Sequence, residues 1–230
     1  MIFVNFAFVT NYKIFYFNPL QTACTLLWGE DRKCAIADPG VHSDWEMRKL
    51  ADFIAREGLT PEAILLTHGH PDHICGVAAV SRRYGIPIWM HPADSARLPL
   101  YKEFGAEIGM AIDIDFETLD AVEGTVITIG GEVRLQVLET PGHSPGGVCY
   151  YDAEGRIVLA GDTLFAGCIG RSDLQGSDYD LLIDGILTKL MPLPPETLVI
   201  PGHGFTTTIG RESGSNPFLE PFNEPLLPED

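Results

Sequence analysis

The chain is short of positive charge: 15 Lys and Arg stand against 32 Asp and Glu, for a net charge of −17. That balance repels phosphate backbones and anionic lipid, so neither nucleic acid nor a membrane surface is the expected partner. Paired cysteines are missing as well. The five present (Cys24, Cys34, Cys75, Cys149, Cys168) are odd in number, widely spaced and without a CxxC, which argues against a disulfide framework and fits reduced thiols in the cytoplasm. No apolar run reaches the ~20 residues that span a bilayer, and the opening MIFVNFAFV has neither a basic leader nor a small-residue cleavage site. Low-complexity tracts and clear internal repeats are also absent. What remains, with 45% hydrophobic residues in a chain of 230, is enough apolar surface for a substantial core. The expectation is a soluble cytoplasmic protein, one domain over residues 1–230, with 1–11 as an N-terminal extension or extra strand and 215–230 as a surface tail.

Aromatic and branched residues over Lys13–Trp28 predict two strands around an Asn18-Pro19 turn, with a third at Lys33–Ala37. After the turn Asp38-Pro39-Gly40, Ser43 and Glu46 form a capping box that starts a helix to about Glu57, closed by Gly58. Ala63–Leu66 is a short apolar strand, Ile74–Tyr84 a helix ending at Gly85, and Pro87–Met90 another strand. A helical stretch then runs from His91-Pro92, with breaks, to about Ala111. Alternation resumes in VITI, EVRLQVLE, Val148–Tyr151 and Ile157–Ala160, which predicts a second antiparallel sheet. Tyr179–Leu190 is a helix and Thr197–Ile200 the last strand.

The densest chemistry is THGHPDHICG, Thr67–Gly76, with three histidines and an aspartate in six consecutive positions. His68 and His70 are two apart, so in an extended segment they project to the same side, as two imidazoles sharing one ion must. The motif sits on a strand-to-helix turn, which lets Asp72 and His73 point toward a second centre; the plainer alternative makes Asp72 the N-cap of the helix. Three further strand ends each deliver one ligand-type residue among glycines: His143 in TPGHSPGG, Asp162 in AGDTLF and His203 in VIPGHG. Their context places them on one rim, where small residues leave space for ions and substrate. His42 and His91 are read as ordinary loop or strand-end histidines, with a supporting role for His91 as the alternative. Asp38 fits a DPG turn, with metal ligation as the alternative. Cys168 is read as inert.

HxHxDH, a lone His, an Asp in a GD turn and a final GH together resemble the ligand series of the metallo-β-lactamase superfamily. GDTLFAGCIGRSDL, the PGHSPGG turn and PGHGFTTTIGRE…NPFL are similar to its glyoxalase II (hydroxyacylglutathione hydrolase) branch in a short form, and the resemblance runs from about Lys13 to Leu219. It implies an α/β fold, a four-layer αβ/βα sandwich of two mixed, largely antiparallel sheets. It further implies one metal site of His68, His70 and His143, a second of Asp72, His73 and His203, and Asp162 bridging. Two divalent ions are expected, zinc first, with iron or manganese as alternatives. The implied reaction is hydrolysis of a hydroxyacyl-glutathione type thioester by a hydroxide held between the ions, with Asp72 orienting or deprotonating the water.

Arg171 and Ser172, in GRSDL, stand where a substrate carboxylate or thiol carrier would reach, unless Arg171 pairs with Asp173. Full-length members of the branch carry a helical C-terminal domain whose basic residues help hold glutathione. Here 27 residues follow His203 (230 − 203), with Arg211 the single cation, so that clamp is expected to be missing. The alternative reactions are hydrolysis of another ester or thioester, and persulfide oxidation at a single iron held by His68, His143 and Asp162. Monomer and homodimer are both compatible with the sequence.

Overall fold

The computed structural model describes residues 10–220. β1 (Asn11–Phe17) and β2 (Thr22–Trp28) pair antiparallel, Asn11 opposite Trp28 and Phe17 opposite Thr22, as the aromatic and branched run predicts. Asn18, in the turn, takes φ +54°, a left-handed conformation that asparagine tolerates better than most side chains. Its Nδ2 donates to the carbonyls of Gly40 at 3.0 Å and Asp72 at 2.9 Å. The opening hairpin is thereby tied to the histidine-rich motif.

β3 (Lys33–Ala37) pairs antiparallel with β2, and α1 (Asp44–Arg56), started by the predicted Ser43/Glu46 capping box, leads to β4 (Thr60–Leu65). Beyond it come α2 (Pro71–Ile74), α3 (Val77–Tyr84), β5 (Ile88–Met90), α4 (Pro92–Ser95), α5 (Leu98–Glu107) and β6 (Leu119–Asp120). Because each of β4, β5 and β6 follows a helical crossover, each pairs parallel with its predecessor. The helix expected over Ile74–Tyr84 is split. Gly76 N–H donates to the Pro39 carbonyl at 3.1 Å, a Cβ there would strike that carbonyl, and the chain breaks to make the approach.

The second sheet starts as an antiparallel meander of β7 (Val126–Ile129), β8 (Val133–Glu139), β9 (Val148–Asp152) and β10 (Ile157–Gly161). A hairpin of β11 (Leu164–Phe165) and β12 (Cys168–Ile169) follows, then α6 (Tyr179–Gly185), continued by a π-turn over Ile186–Leu190. β13 (Leu198–Pro201) returns parallel to β10, so this sheet is mixed too. It is not the last strand: β14 (Thr207–Thr208) pairs on its edge before α7 (Ile209–Ser215), two residues being too few to show any alternation.

Among the described residues three apolar clusters separate four layers. Phe17, Leu26, Ile36 and Ile64 pack under Leu50 and Val80 of the first helical layer. Leu27, Ala35 and Leu65 meet Leu135, Val137 and Tyr150 between the sheets, and Leu138, Val158 and Leu182 fill the space beneath the second helical layer. Adjacent Leu26 and Leu27 serve opposite faces, which is why β2 is apolar throughout rather than alternating. The expected αβ/βα sandwich of two mixed sheets is the fold observed. Residues 1–9 and 221–230, which hold most of the expected N-terminal extension and tail, lie outside the described residues; Leu219 is buried in the third cluster. No helix among the described residues is long and apolar enough to cross a membrane.

A side-chain bond joins the second sheet to the chain next to the histidine-rich motif: the Tyr150 hydroxyl donates to the Leu66 carbonyl at 2.9 Å, with both residues fully buried. Tyr150→Phe is expected to lower unfolding free energy by about 1–2 kcal/mol, seen as a lower urea midpoint at unchanged m value. An unchanged midpoint would show that the bond contributes nothing.

Candidate metal centre

Every candidate ligand stands just past a strand, at one end of the sandwich. His68 and His70 leave β4, Asp72 and His73 lie on the α2 turn, His143 occupies the loop between β8 and β9, Asp162 follows β10 and His203 follows β13. The N-cap reading of Asp72 fails, because His70 holds that position and Asp72 is inside the helix. Gly202 is required by close approach: a Cβ there would hit the Asp162 carboxylate and lie 2.7 Å from the His73 ring.

The structure brings all seven side chains together. Their donor atoms form three overlapping groups, His68–His70–His143, His68–His73–Asp162 and Asp72–His73–His203, each with its atoms within 4.8 Å of one another. Asp162 lies between the outer two. Its Oδ2 is 3.5 Å from His143 Nε2 and 3.6 Å from His203 Nε2, and its Oδ1 is 3.5 Å from His73 Nε2.

The rings are oriented from behind. His143 Nδ1 is 2.9 Å from the Arg171 carbonyl and His203 Nδ1 is 3.1 Å from the Leu20 carbonyl. A carbonyl only accepts, so each Nδ1 carries a proton and each Nε2 is turned inward. Thr67 Oγ1 donates to Asp38 Oδ2 at 2.7 Å and accepts from His68 Nδ1 at 3.1 Å, which leaves His68 Nε2 buried without a partner. His73 Nδ1 is 3.1 Å from Asp38 Oδ2, an ion-pair contact off the hydrogen-bond angle. His70 is reversed, with Nδ1 inward, 2.8 Å from His143 Nε2. Asp162 Oδ1 is likewise buried and unpartnered. Buried lone pairs and carboxylate oxygens aimed at one another are costly unless a cation lies among them, so this donor set fits divalent metal ions.

Burial by itself drives imidazole pKa values down. In His68 and His70 the neighbouring histidines add to it, holding His68 well below its ordinary value and pushing His70 down to about 3; both therefore offer free lone pairs at neutral pH. In His73 the burial effect is outweighed by the carboxylates of Asp72, Asp38 and Asp162, and the pKa stands well above the ordinary value. His203 is raised too, burial being overcome by the Asp72 hydrogen bond and the Asp162 charge. Burial would raise Asp72 and Asp162, but the His73 charge, with hydrogen bonds from His203 and Thr22 on Asp72 and the charges of His203 and His143 on Asp162, brings both below the usual carboxylate value.

Several residues that hold this arrangement escaped the sequence reading. Asp38 does make a turn, at φ +44°, but it is buried behind the site, where Oδ1 accepts the Thr67 N–H at 2.8 Å, and it belongs to none of the convergent groups. Thr22 Oγ1 donates to Asp72 Oδ2 at 2.6 Å. Asp94 is buried behind Gly69 and Gly146. The remaining histidines lie outside the convergent groups: His42 is exposed in the loop before α1, with its backbone N–H on Glu46, and His91 caps α4 through Nδ1 with Nε2 3.1 Å from Glu139. The Cys168 thiol is exposed and donates to the Ile169 carbonyl. Arg171 forks its guanidinium over Asp173 at 2.7 and 2.9 Å while its carbonyl faces His143, and Ser172 beside it is half-buried.

A cleft of about 250 Å³ opens beside His70, lined by Leu100, Tyr101, Phe104, Leu174 and Gln175. On the opposite side, a shallow hollow at His203 is walled by Phe165 and Phe205.

Set against known proteins, residues 17–203 match the sequence profile of the "Metallo-beta-lactamase superfamily". The chain is 39% identical to the probable metallo-hydrolase YqgX of Bacillus subtilis, over 89% of this chain and 95% of that protein. It is 35% identical to the hydroxyacylglutathione hydrolase GloC of Haemophilus influenzae, over 91% and 98% respectively. Among solved structures, the BLEG-1 B3 metallo-beta-lactamase superposes with a TM-score of 0.83 at 39% identity, covering 91% of this chain and 99% of that one. TTHA1623 in a di-iron-bound form superposes with 0.75 at 40% identity, covering 88% and 97%.

Asp38 faces His73 and holds Thr67, which holds His68, so Asp38→Asn should weaken divalent-metal binding by about 10–100-fold while the metal-free chain keeps its fold. Competition against a chromophoric chelator reads the affinity; a variant that competes as well as the wild type would remove Asp38 from this role.

Proposed function

The chain belongs to the metallo-beta-lactamase superfamily, and from that premise we propose that it is a binuclear metal-dependent hydrolase of thioesters of the hydroxyacyl-glutathione type. The observation that carries the reading is two complete three-residue donor groups with a carboxylate between them. His68, His70 and His143 would hold one ion, Asp72, His73 and His203 the other, and Asp162 would bridge. Zinc suits this set of imidazole and carboxylate donors, with iron or manganese as alternatives; TTHA1623, a relative at 40% identity, was solved in a di-iron-bound form. Such a pair supplies a Lewis acid for a carbonyl and a water whose pKa falls toward ~7.

The chain's own residues divide the remaining work. Asp72, kept ionised by its surroundings and fixed by Thr22 and Asn18, orients the attacking water and takes its proton. His70, at the mouth of the cleft, and the apolar side chains around it hold the acyl or thiol limb of the substrate and exclude water. A thiol leaves with less acid help than an amine, which favours a thioester, and the GloC relative at 35% identity supports the hydroxyacyl-glutathione type. Arg171 and Ser172 are assigned the far end of the substrate, Arg171 on releasing Asp173. Oxidation at a single iron needs only His68, His143 and Asp162 and leaves the second donor group without a task. The free cysteines fit the reducing cytoplasm, and the substrate partner is a small molecule, for a monomer or a homodimer alike.

The purified chain is expected to hold about two divalent ions and to hydrolyse S-lactoylglutathione, with loss on chelation and return on adding zinc. Asp72→Ala should then lower kcat by about 10²–10⁴-fold; full turnover in that variant would exclude Asp72 from the chemistry, and one iron with oxygen uptake on a persulfide would replace the hydrolase reading. A second expectation follows from the raised His73 and His203 pKa values. The surrounding carboxylates favour the protonated rings, a ligand must give that proton up, and binding becomes tighter as pH rises toward the raised pKa. Calorimetry of zinc binding in buffers of different ionisation enthalpy should show release of about one to two protons, and a heat independent of the buffer would contradict it.

A further inference from the structure

Asp94 is a carboxylate with 0% of its surface exposed, and it stands outside the seven candidate ligands. Its Oδ2 accepts the Gly69 N–H at 2.7 Å, and its Oδ1 accepts the Gly146 N–H at 2.7 Å and the Tyr101 hydroxyl at 3.1 Å. Gly69 is the residue between His68 and His70, and Gly146 lies in the loop that carries His143. One buried charge therefore grips, from behind, both backbone segments that present the His68–His70–His143 group. Through Tyr101 it also grips the α5 wall of the cleft.

The two glycines have a shared reason. A Cβ on Gly146 would lie 2.7 Å from Asp94 N and 2.9 Å from Asp94 Cβ, while one on Gly69 would overlap the Tyr101 ring and come within 2.8 Å of Met90 Cε. Any larger residue at either place would hold its N–H away from the carboxylate. The other donor group is held by different means: Asp72 by Thr22 and Asn18, His203 by the Leu20 carbonyl.

We propose that Asp94 is the positioning residue of the His68–His70–His143 group: it sets the separation of His70 from His143 and links that separation to the Tyr101 wall of the substrate cleft. The inference rests on the metal assignment above. It predicts an effect confined to one of the two groups, which a merely structural acid would not produce.

The test is zinc affinity, by chelator competition, for the wild type and Asp94→Asn, and for Asp94→Asn placed in His70→Ala and His203→Ala backgrounds. Whichever way the new amide turns, its NH2 faces a backbone N–H. The expected result is a loss of about 10–100-fold in the wild-type and His203→Ala backgrounds and no further loss in His70→Ala, where the group is already broken. Gly146→Ala, which keeps the carboxylate but forces the loop and Asp94 apart, should give the same selective loss, and it carries the test should Asp94→Asn fail to fold. Thermal melting of the metal-free variants reports folding separately. An equal loss in both backgrounds, or none in His203→Ala, overturns the proposal. A wild-type chain that binds no zinc at all sinks the metal assignment and the proposal with it.

Discussion

Five imidazoles and two carboxylates whose lone pairs point at one another share a pocket only if each is held from behind and a cation relieves the repulsion in front. Much of the structure answers the first half of that requirement. Carbonyls of Arg171 and Leu20, the Thr67 hydroxyl and the Asp38 carboxylate take the outward ring positions of His143, His203, His68 and His73. With those positions occupied, the rings turn their remaining nitrogens to the centre, and the unpartnered His68 Nε2 and Asp162 Oδ1 mark where the unmet demand is concentrated.

The four layers supply the rigidity this needs. β4, β10 and β13 each release a ligand segment at the same end of the sandwich, and the parallel pairing of β10 with β13 brings Asp162 and His203 side by side. Crossover helices make such pairing possible, and the clusters on both faces of each sheet keep the strand ends from drifting. Glycines at 69, 146 and 202 then let backbone and side chain approach within distances that a Cβ would forbid.

The electrostatics divide the site into unlike halves. His68 and His70 are kept neutral by burial and by neighbouring histidines, so they are ready donors. His73 and His203 lie among carboxylates that raise their pKa values, so a cation there competes with a proton. Asp72 sits on the second side with its carboxylate ionised, the state in which it accepts a proton. The cleft, in contrast, opens on the His70 side, against Leu100, Tyr101 and Phe104.

The local pattern made the opening hairpin, the Ser43 helix start and the β7–β10 meander legible, because turn residues, capping residues and alternation act over a few positions. The residue types of the site were legible for a related reason: HxH on a strand end and HxxxDH-type crowding have few uses other than metal. Parallel pairing of β4–β6 and of β13, the break at Gly76 and the two-residue β14 were not legible, since each is fixed by what the segment meets across the fold. Asp38 looked like a turn, and nothing local singled out Asp94. Their roles exist only because Thr67 and His73, or Gly69 and Gly146, arrive from distant parts of the chain. Sequence by itself determined which donor atoms this protein carries and on which strand ends. Tertiary structure alone decided how those atoms are oriented and spaced, because orientation depends on acceptors placed behind each ring by long-range packing, and no local pattern encodes that.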